Sequence, residues 1–417
     1  MTGRLATTTP GPPLDVLLLD AQSRQTLAAM RALGKTGLTV GAAACQSEAG
    51  WAASLQSRFC ALAVVVPDLF TGAQAYAQAL LDALDQHPAR LVVPASDGSL
   101  HALRLRRADF ERRAALALAS EAALDIATSK SRTLDLAREL GLAVPRGVPV
   151  TDSRDVPAAI SEAGLPAVIK PATSWVEQAG LGLRLSANVV TTLAAATQAA
   201  SQLLAQGTSV LVQEWLPGRR EAVSMFLARD RCWARLAQMS YREWPVLGGA
   251  SVMCETIALP ADSAAAAERL VRAMNLEGYS MVEFRRDRQG QPVLMEVNAR
   301  LGGSLALALA AGINFPEMLY SWQFGRTLGE VRTYRAGRRL RWLAADVWNL
   351  KHVIGHQGQP DVPPRLGAAA RFAVDFLRPN VGYGLEWGDL RPLFGKVNNL
   401  ILHDSVQRVR SRLHANV

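Results

Sequence analysis

Cysteine is scarce in this chain. The four residues, Cys45, Cys60, Cys232 and Cys254, form no CxxC pair. Their spacing fits neither a zinc site nor a disulfide framework, which leaves buried or surface thiols. Long apolar runs are missing as well. The longest, residues 305–313, is far short of the roughly 18–20 residues a membrane-spanning helix needs. The N-terminus has no basic region followed by an apolar stretch and a small-residue cleavage site. A soluble, cytoplasmic protein with no membrane partner is therefore expected. HExxH and nucleophile-elbow motifs are absent. Gly34-Lys35-Thr36 imitates the end of a phosphate-binding P-loop, but no glycine stands five residues before it. The six histidines, His352 and His356 among them, form no metal pattern beside carboxylates.

What is present is an apolar, arginine-rich chain. Of its 417 residues 49% are apolar and 19% charged, which excludes a largely disordered protein, and the length suggests two to four domains. The net charge of +9 suits an acidic small substrate, a nucleotide or a polyanion. Its densest cluster is Arg326, Arg332, Arg335, Arg338, Arg339 and Arg341.

Apolar periodicity predicts strands at 15–20, 38–40, 64–66 and 91–93, and helices at 23–33, closed by Gly34, and at 73–86. This alternation implies a parallel, doubly wound sheet. Asp97, just past the fourth strand, is placed either to meet a ligand or to cap the following helix. Further along, Thr128 or Ser129 can cap a helix that ends before Gly141. Strands are expected at 167–170, 183–185 and 210–213, an antiparallel pair at 222–228 and 232–239, and helices at 190–205 and 262–275. A hairpin, 280–285 and 292–297, turns at Asp287-Arg-Gln-Gly.

That hairpin carries the clearest chemistry. Glu296 and Asn298 are two residues apart on a strand and so project from one face, and Glu283 on the paired strand can sit opposite them. Acidic groups on apolar strands need a partner. A hard cation would serve, because Mg²⁺ prefers carboxylate and carbonyl oxygens and shares its shell with phosphate. The alternative is an ordinary sheet in which the glutamates pair with Arg285 or Arg300. Lys170 ends an apolar strand and could reach an anion in a cleft, or merely snorkel. Lys130 begins a helix, where backbone N–H groups already attract anions. In Val212-Gln-Glu-Trp-Leu-Pro-Gly a strand runs into a turn that could meet a purine edge.

The order of these segments resembles the ATP-grasp superfamily, in particular its branch of predicted carboxylate–amine ligases. LMEVNARLGGS is the most specific piece, and the likeness covers about residues 15–325. It implies a mixed α/β and α+β chain. A loose tail (1–13) would precede a half-Rossmann domain (14–121), a small ATP-grasp lobe with linker helices (122–208), a large lobe with the metal site (209–330) and a C-terminal extension (331–417) serving as a cap or a dimer surface. It also implies ATP with Mg²⁺ or Mn²⁺. Lys130 and Lys170 would bind the phosphates, Gln213, Glu214, Trp215 and Leu216 would form the adenine hinge, and Glu221 would bind the ribose. Glu283, Glu296 and Asn298 would hold the metal, and Arg300 the transferred phosphoryl group. The substrates implied are a small carboxylate and an amine.

The chain departs from the family pattern in two places. The loop after Lys170, residues 171–182, keeps only Gly180 and Gly182 and includes Trp175 and Glu177. Arg219-Arg220 adds one residue between the Pro-Gly turn and Glu221. Tyr241 and Arg242, in a loop expected over 240–255 that contains Gly248 and Gly249, are candidates for substrate contact. Two other readings stand beside the ligase. One is an ATP-grasp carboxylase or synthetase with another acceptor. The other is a polyanion-binding protein using the arginine cluster with Trp322, Trp342 and Trp348, although no nucleic-acid module is recognisable.

Overall fold

A computed structural model describes residues 13–178, 181–244, 246, 249–358, 362–382 and 384–393. The tail expected over 1–13 lies, except for its last residue, outside the described residues. The chain divides into two units. One runs to Ala117 and takes back the chain from Glu386; the other is Leu118–Leu385.

The first unit is built on a parallel sheet of β1 (Leu14–Leu18), β2 (Val40–Cys45), β3 (Cys60–Val66), β4 (Ala89–Val93) and β5 (Ala115–Leu116), in the order β3-β2-β1-β4-β5. This is the doubly wound pattern that the alternating periodicity implies. Three details differ from expectation. The second strand lies not at 38–40 but in the small-residue run that follows, where Gly41 and three alanines are fully buried between neighbouring strands. Gly34 does not end the first helix, which continues to Lys35. A Cβ on Gly34 would stand 2.5 Å from the Phe59 ring, so this glycine is required by packing, and the left-handed residue is Gly37 (φ 85°). Asp97 does not cap the third helix either. Ser96 does so, in a capping box with Ser99, and both hydroxyls donate to Asp20. The returning chain is fastened by Asp389, whose carboxylate accepts from Arg31 Nε (2.7 Å), Ser57 Oγ (2.7 Å) and the Arg58 N–H (2.8 Å).

Among the described residues the second unit contains three further sheets. β6 (Gly147–Val150), β7 (Ala167–Pro171), β10 (Asn188–Val190) and β11 (Val210–Glu214) form an antiparallel sheet in the order β10-β7-β11-β6. β8 (Trp175–Gln178) and β9 (Leu181–Arg184) form a separate hairpin. Helices Val156–Ala163 and Leu193–Leu204 bury one face of the four-stranded sheet, against Ala167, Ile169, Val210 and Val212. β12 (Arg220–Ala228), β13 (Arg231–Trp244), β14 (Ala250–Ile257), β15 (Gly278–Arg286), β16 (Pro292–Asn298), β17 (Arg339–Arg341) and β18 (Val381–Gly382) form the large sheet, in the order β16-β15-β12-β13-β14-β17-β18. The Leu294 N–H donates to the Ala143 carbonyl and ties the large sheet to the segment leading into the small one.

The expected boundary at 330/331 does not divide this sheet, because β17 pairs with β14. Arg341 is fully buried. Its Nε bonds Asp346 (2.7 Å), its Nη2 bonds the Phe372 carbonyl (2.9 Å), and its guanidinium lies 4.2 Å from the Phe372 and Phe376 ring centres. Asp346 also receives Arg242 (2.5 and 2.8 Å), and Arg242 reaches Asp375 (2.7 Å). Arg242 is thus a structural anchor, not the substrate contact expected of it. Asp346→Ala leaves one buried and one half-buried guanidinium group short of a counterion, so chemical denaturation is expected to show a loss of roughly 3–5 kcal/mol. A loss below about 1 kcal/mol would mean that Asp375 alone can neutralise the pair.

Candidate active site

Lys170 and Gln213 share the face of the small sheet that its two helices do not cover, since Lys170 pairs with Leu211, two residues from Gln213. Both are buried, at 9% and 3% exposure, and among the described residues Gln213 Oε1 has no hydrogen-bond partner. Burial, with Lys130 nearby, lowers the Lys170 ammonium to about 8, although Glu296 and Glu283 act in the opposite direction. Lys130 opens the helix Lys130–Glu139 behind the Ser129 cap. Its N–H donates to the Ala172 carbonyl and its Nζ to Ser174 Oγ (2.7 Å). The loop after Lys170 therefore folds back onto Lys130 and continues as the β8–β9 hairpin. Gly180 of that loop lies outside the described residues.

On the large sheet, register sets the site. Glu283 pairs with Glu296 and Met281 with Asn298, so Glu283, Glu296 and Asn298 project from one face. Asn298 Nδ2 lies 3.4 Å from Glu296 Oε1. Burial first, and then Glu296 and Glu243, raise the Glu283 carboxyl to about 7 against the lowering pull of Arg220 and Arg300. The structure thus brings Lys130, Lys170, Glu283, Glu296, Asn298 and Arg300 into one electrostatic cluster, with ammonium groups on the small-sheet side and carboxylates on the large. Gly302 follows, and a Cβ there would stand 2.9 Å from the Tyr279 hydroxyl and 3.1 Å from the Met281 sulfur. That close approach accounts for the glycine after Arg300-Leu301.

Other expected residues lie elsewhere. Glu221 pairs with Phe284, and so faces the opposite side of the sheet from Glu283. It is 1% exposed and both its oxygens are held by Arg286 (3.0 and 3.1 Å), which also bonds Asp262 (2.7 Å). The extra arginine before it turns it away, and Arg220 takes the site-facing position. Glu221→Gln is therefore expected to leave the nucleotide KM within about threefold while lowering stability by roughly 1–3 kcal/mol. A tenfold rise in KM without unfolding would restore its ribose role.

The Glu214 carboxylate is bound to Arg146 N (2.9 Å) and Nε (2.8 Å), and the N–H groups of Glu214 and Trp215 already donate to Arg146 and Pro166 carbonyls. A purine would have to be met by other groups of the hinge. Leu216 is buried there and Trp215 half-buried. Tyr241 sits between Arg219 (4.5 Å) and Arg339 (5.6 Å), and Gly248 lies outside the described residues. The arginine cluster is dispersed. Arg332 pairs with Glu330, Arg339 with Glu255, and Arg341 is buried. Trp322 packs edge-on against Phe226 and Trp348 stacks on Trp244, and both are half-buried. Sequence reasoning missed Arg220, Glu243 and Ser251 beside Glu283. The only available sign was the parity of β12, in which Arg220 and not Glu221 falls in step with Ala222.

Residues 208–345 match a family described as ATP-grasp in the biosynthetic pathway with Ter operon. A D-alanine–D-alanine ligase of Ectopseudomonas mendocina is 29% identical over 242 residues, 54% of this chain and 71% of the relative. A biotin carboxylase of Campylobacter jejuni superposes with a TM-score of 0.62 at 15% identity, over 78% of this chain and 74% of that one. An L-amino acid ligase of Bacillus licheniformis does so at 0.58 and 15%, over 78% of each.

Proposed function

Because the chain belongs to the ATP-grasp superfamily, we propose that it is an ATP-dependent carboxylate–amine ligase acting on small molecules in the cytoplasm. The observation that carries this reading is that Glu283, Glu296 and Asn298 share one face of the large sheet while Glu296 and Glu283 act electrostatically on the buried Lys170.

The donor set fits a magnesium nucleotide. Among the described residues no cluster of three or more His, Cys, Asp or Glu forms, so the protein offers Glu283, Glu296 and the Asn298 amide. A hard cation that keeps phosphate and water in its shell suits such a sparse set. The orphaned Gln213 Oε1 adds an acceptor beside Lys170 that a nucleotide's N–H or hydroxyl donor can satisfy. When bound, Mg²⁺ neutralises phosphate charge and orients the transferred group.

The chain's own groups do the rest. Lys130 and Lys170 would hold phosphate oxygens, and Arg300 the phosphoryl group as it passes to the substrate carboxylate. A carboxylate is a poor acyl donor because its oxygen leaves badly; attack of that oxygen on the γ-phosphorus, with ADP departing, makes it part of a phosphate, which leaves well. The amine then attacks and phosphate departs. No protein nucleophile is required. Hinge contacts with adenine are assigned to Trp215 and Leu216, with Gln213 behind them.

The test is ADP-forming turnover on pooled amino acids and small carboxylates, with mass analysis of the products. Amine-dependent ADP formation and a condensed product are expected. Turnover that needs bicarbonate or a thiol in place of an amine would assign a different acceptor, and failure of the folded protein to bind nucleotide would overturn the site.

A further inference from the structure

Arg220 is a charged group on the site face that the proposed chemistry does not use, and it bonds Glu283 directly. It lies two residues from Ala222, the partner of Glu283, and its own partner is Arg285. Its guanidinium spans three groups: Nη1 meets Glu283 Oε2 at 3.1 Å, Nε meets Glu243 Oε1 at 3.3 Å, and Nη2 donates to Ser251 Oγ at 3.0 Å. Ser251 is held in turn by Ser240 at 2.7 Å. The side chains of Arg220, Glu243 and Glu283 are 15%, 10% and 7% exposed, so water does little to screen the contact.

We propose that Arg220 is a positioning residue that competes with the divalent cation for Glu283, so that metal enters this site together with nucleotide and poorly without it. The proposal rests on Glu283, Glu296 and Asn298 being the metal ligands. A guanidinium is always charged and carries only donors. Bonded to Glu283, it uses the lone pairs a hard cation needs and places a like charge beside it. To yield Glu283, Arg220 needs another anion. Phosphate oxygens are the matched bidentate partner of a guanidinium, and nucleotide binding brings them into this cluster. Nucleotide and metal then bind with positive coupling, each removing an obstacle to the other.

The experiment measures Mn²⁺ binding by electron paramagnetic resonance on the full chain, with and without a non-hydrolysable ATP analogue. Arg220→Gln is expected to tighten Mn²⁺ binding without nucleotide by about tenfold or more, and to shrink the gain the analogue produces. Arg285→Gln removes the same charge from the same face, but Arg285 bonds Glu243 (3.4 Å) and the Gly218 carbonyl. It is expected to change the affinity by less than about threefold. Equal effects of the two variants, or none from Arg220→Gln, overturn the proposal. Should Arg220→Gln fail to fold, Arg220→Lys keeps the charge without the fork. About threefold tighter binding supports the proposal, and wild-type affinity overturns it. Glu296→Ala separates the premises. If the wild type with analogue binds no Mn²⁺ that this variant loses, the ligand assignment fails. If it does, and Arg220 is indifferent, only the competition fails.

Discussion

Glu296→Ala is expected to lower substrate-stimulated phosphate release by about a thousandfold or more while leaving the protein folded. Two features of the site point to an effect of this size. Glu296 is paired in register with Glu283 and lies two residues from Asn298, so its loss removes the middle of the three candidate metal ligands. It is also the largest influence holding Lys170 protonated against burial, so the same change weakens the ammonium opposite. Loss of one preorganised charged group in a desolvated site typically costs 10²–10³ in rate, roughly 3–4 kcal/mol, and here two groups are affected. Stability should not suffer, because removing Glu296 relieves its repulsion of Glu283. Steady-state phosphate release and a thermal melt check both statements. A variant that melts normally and retains more than about a tenth of wild-type turnover would exclude Glu296 from the phosphoryl-transfer machinery.

Much of this site was legible because strand alternation is a strong rule. Glu283, Glu296 and Asn298 fall on one face by counting, and Lys170 falls at the end of an apolar run. The rule fails where one residue is inserted. Arg219-Arg220 shifts β12 by one position, so the glutamate that looks like a ribose contact is turned to the opposite face and its neighbour is presented instead. Gly34 illustrates a different limit. Locally it reads as a helix stop, but the Phe59 ring that requires it comes from a later segment. The C-terminal extension was least legible. Its role depends on ion pairs such as Arg242–Asp346, 104 residues apart, and no local pattern announces contacts of that span. The run at 40–45 had too few large side chains to signal a strand, because its burial between neighbouring strands demands small ones.

Lys170→Met is expected to abolish turnover and stabilise the protein. In the folded chain burial lowers this ammonium from the ordinary lysine value to about 8. Below pH 8 it is charged in both folded and unfolded states, so folding carries the net cost of holding the charge in this site, about 3 kcal/mol. Between pH 8 and the unfolded lysine range the unfolded chain holds a proton that the folded one has released, and stability rises with pH. Methionine has similar length and no charge, so at pH 7 the variant should melt several degrees higher, and the rise in stability above pH 8 should flatten. The charge that burdens folding is the one a phosphate would repay. Wild-type nucleotide affinity should accordingly fall as the pH passes through 8, and the variant should bind nucleotide at least about tenfold more weakly at pH 7, with little pH dependence above pH 8, where the Glu283 carboxyl, raised to about 7, is already largely ionised. Calorimetric titration with an ATP analogue from pH 6.5 to 9.5, beside melts over the same range, separates the two effects. A variant that is more stable but binds nucleotide as tightly as wild type would make Lys170 an ordinary buried lysine. One that is less stable would show that Glu283 and Glu296 compensate its charge more fully than its burial indicates.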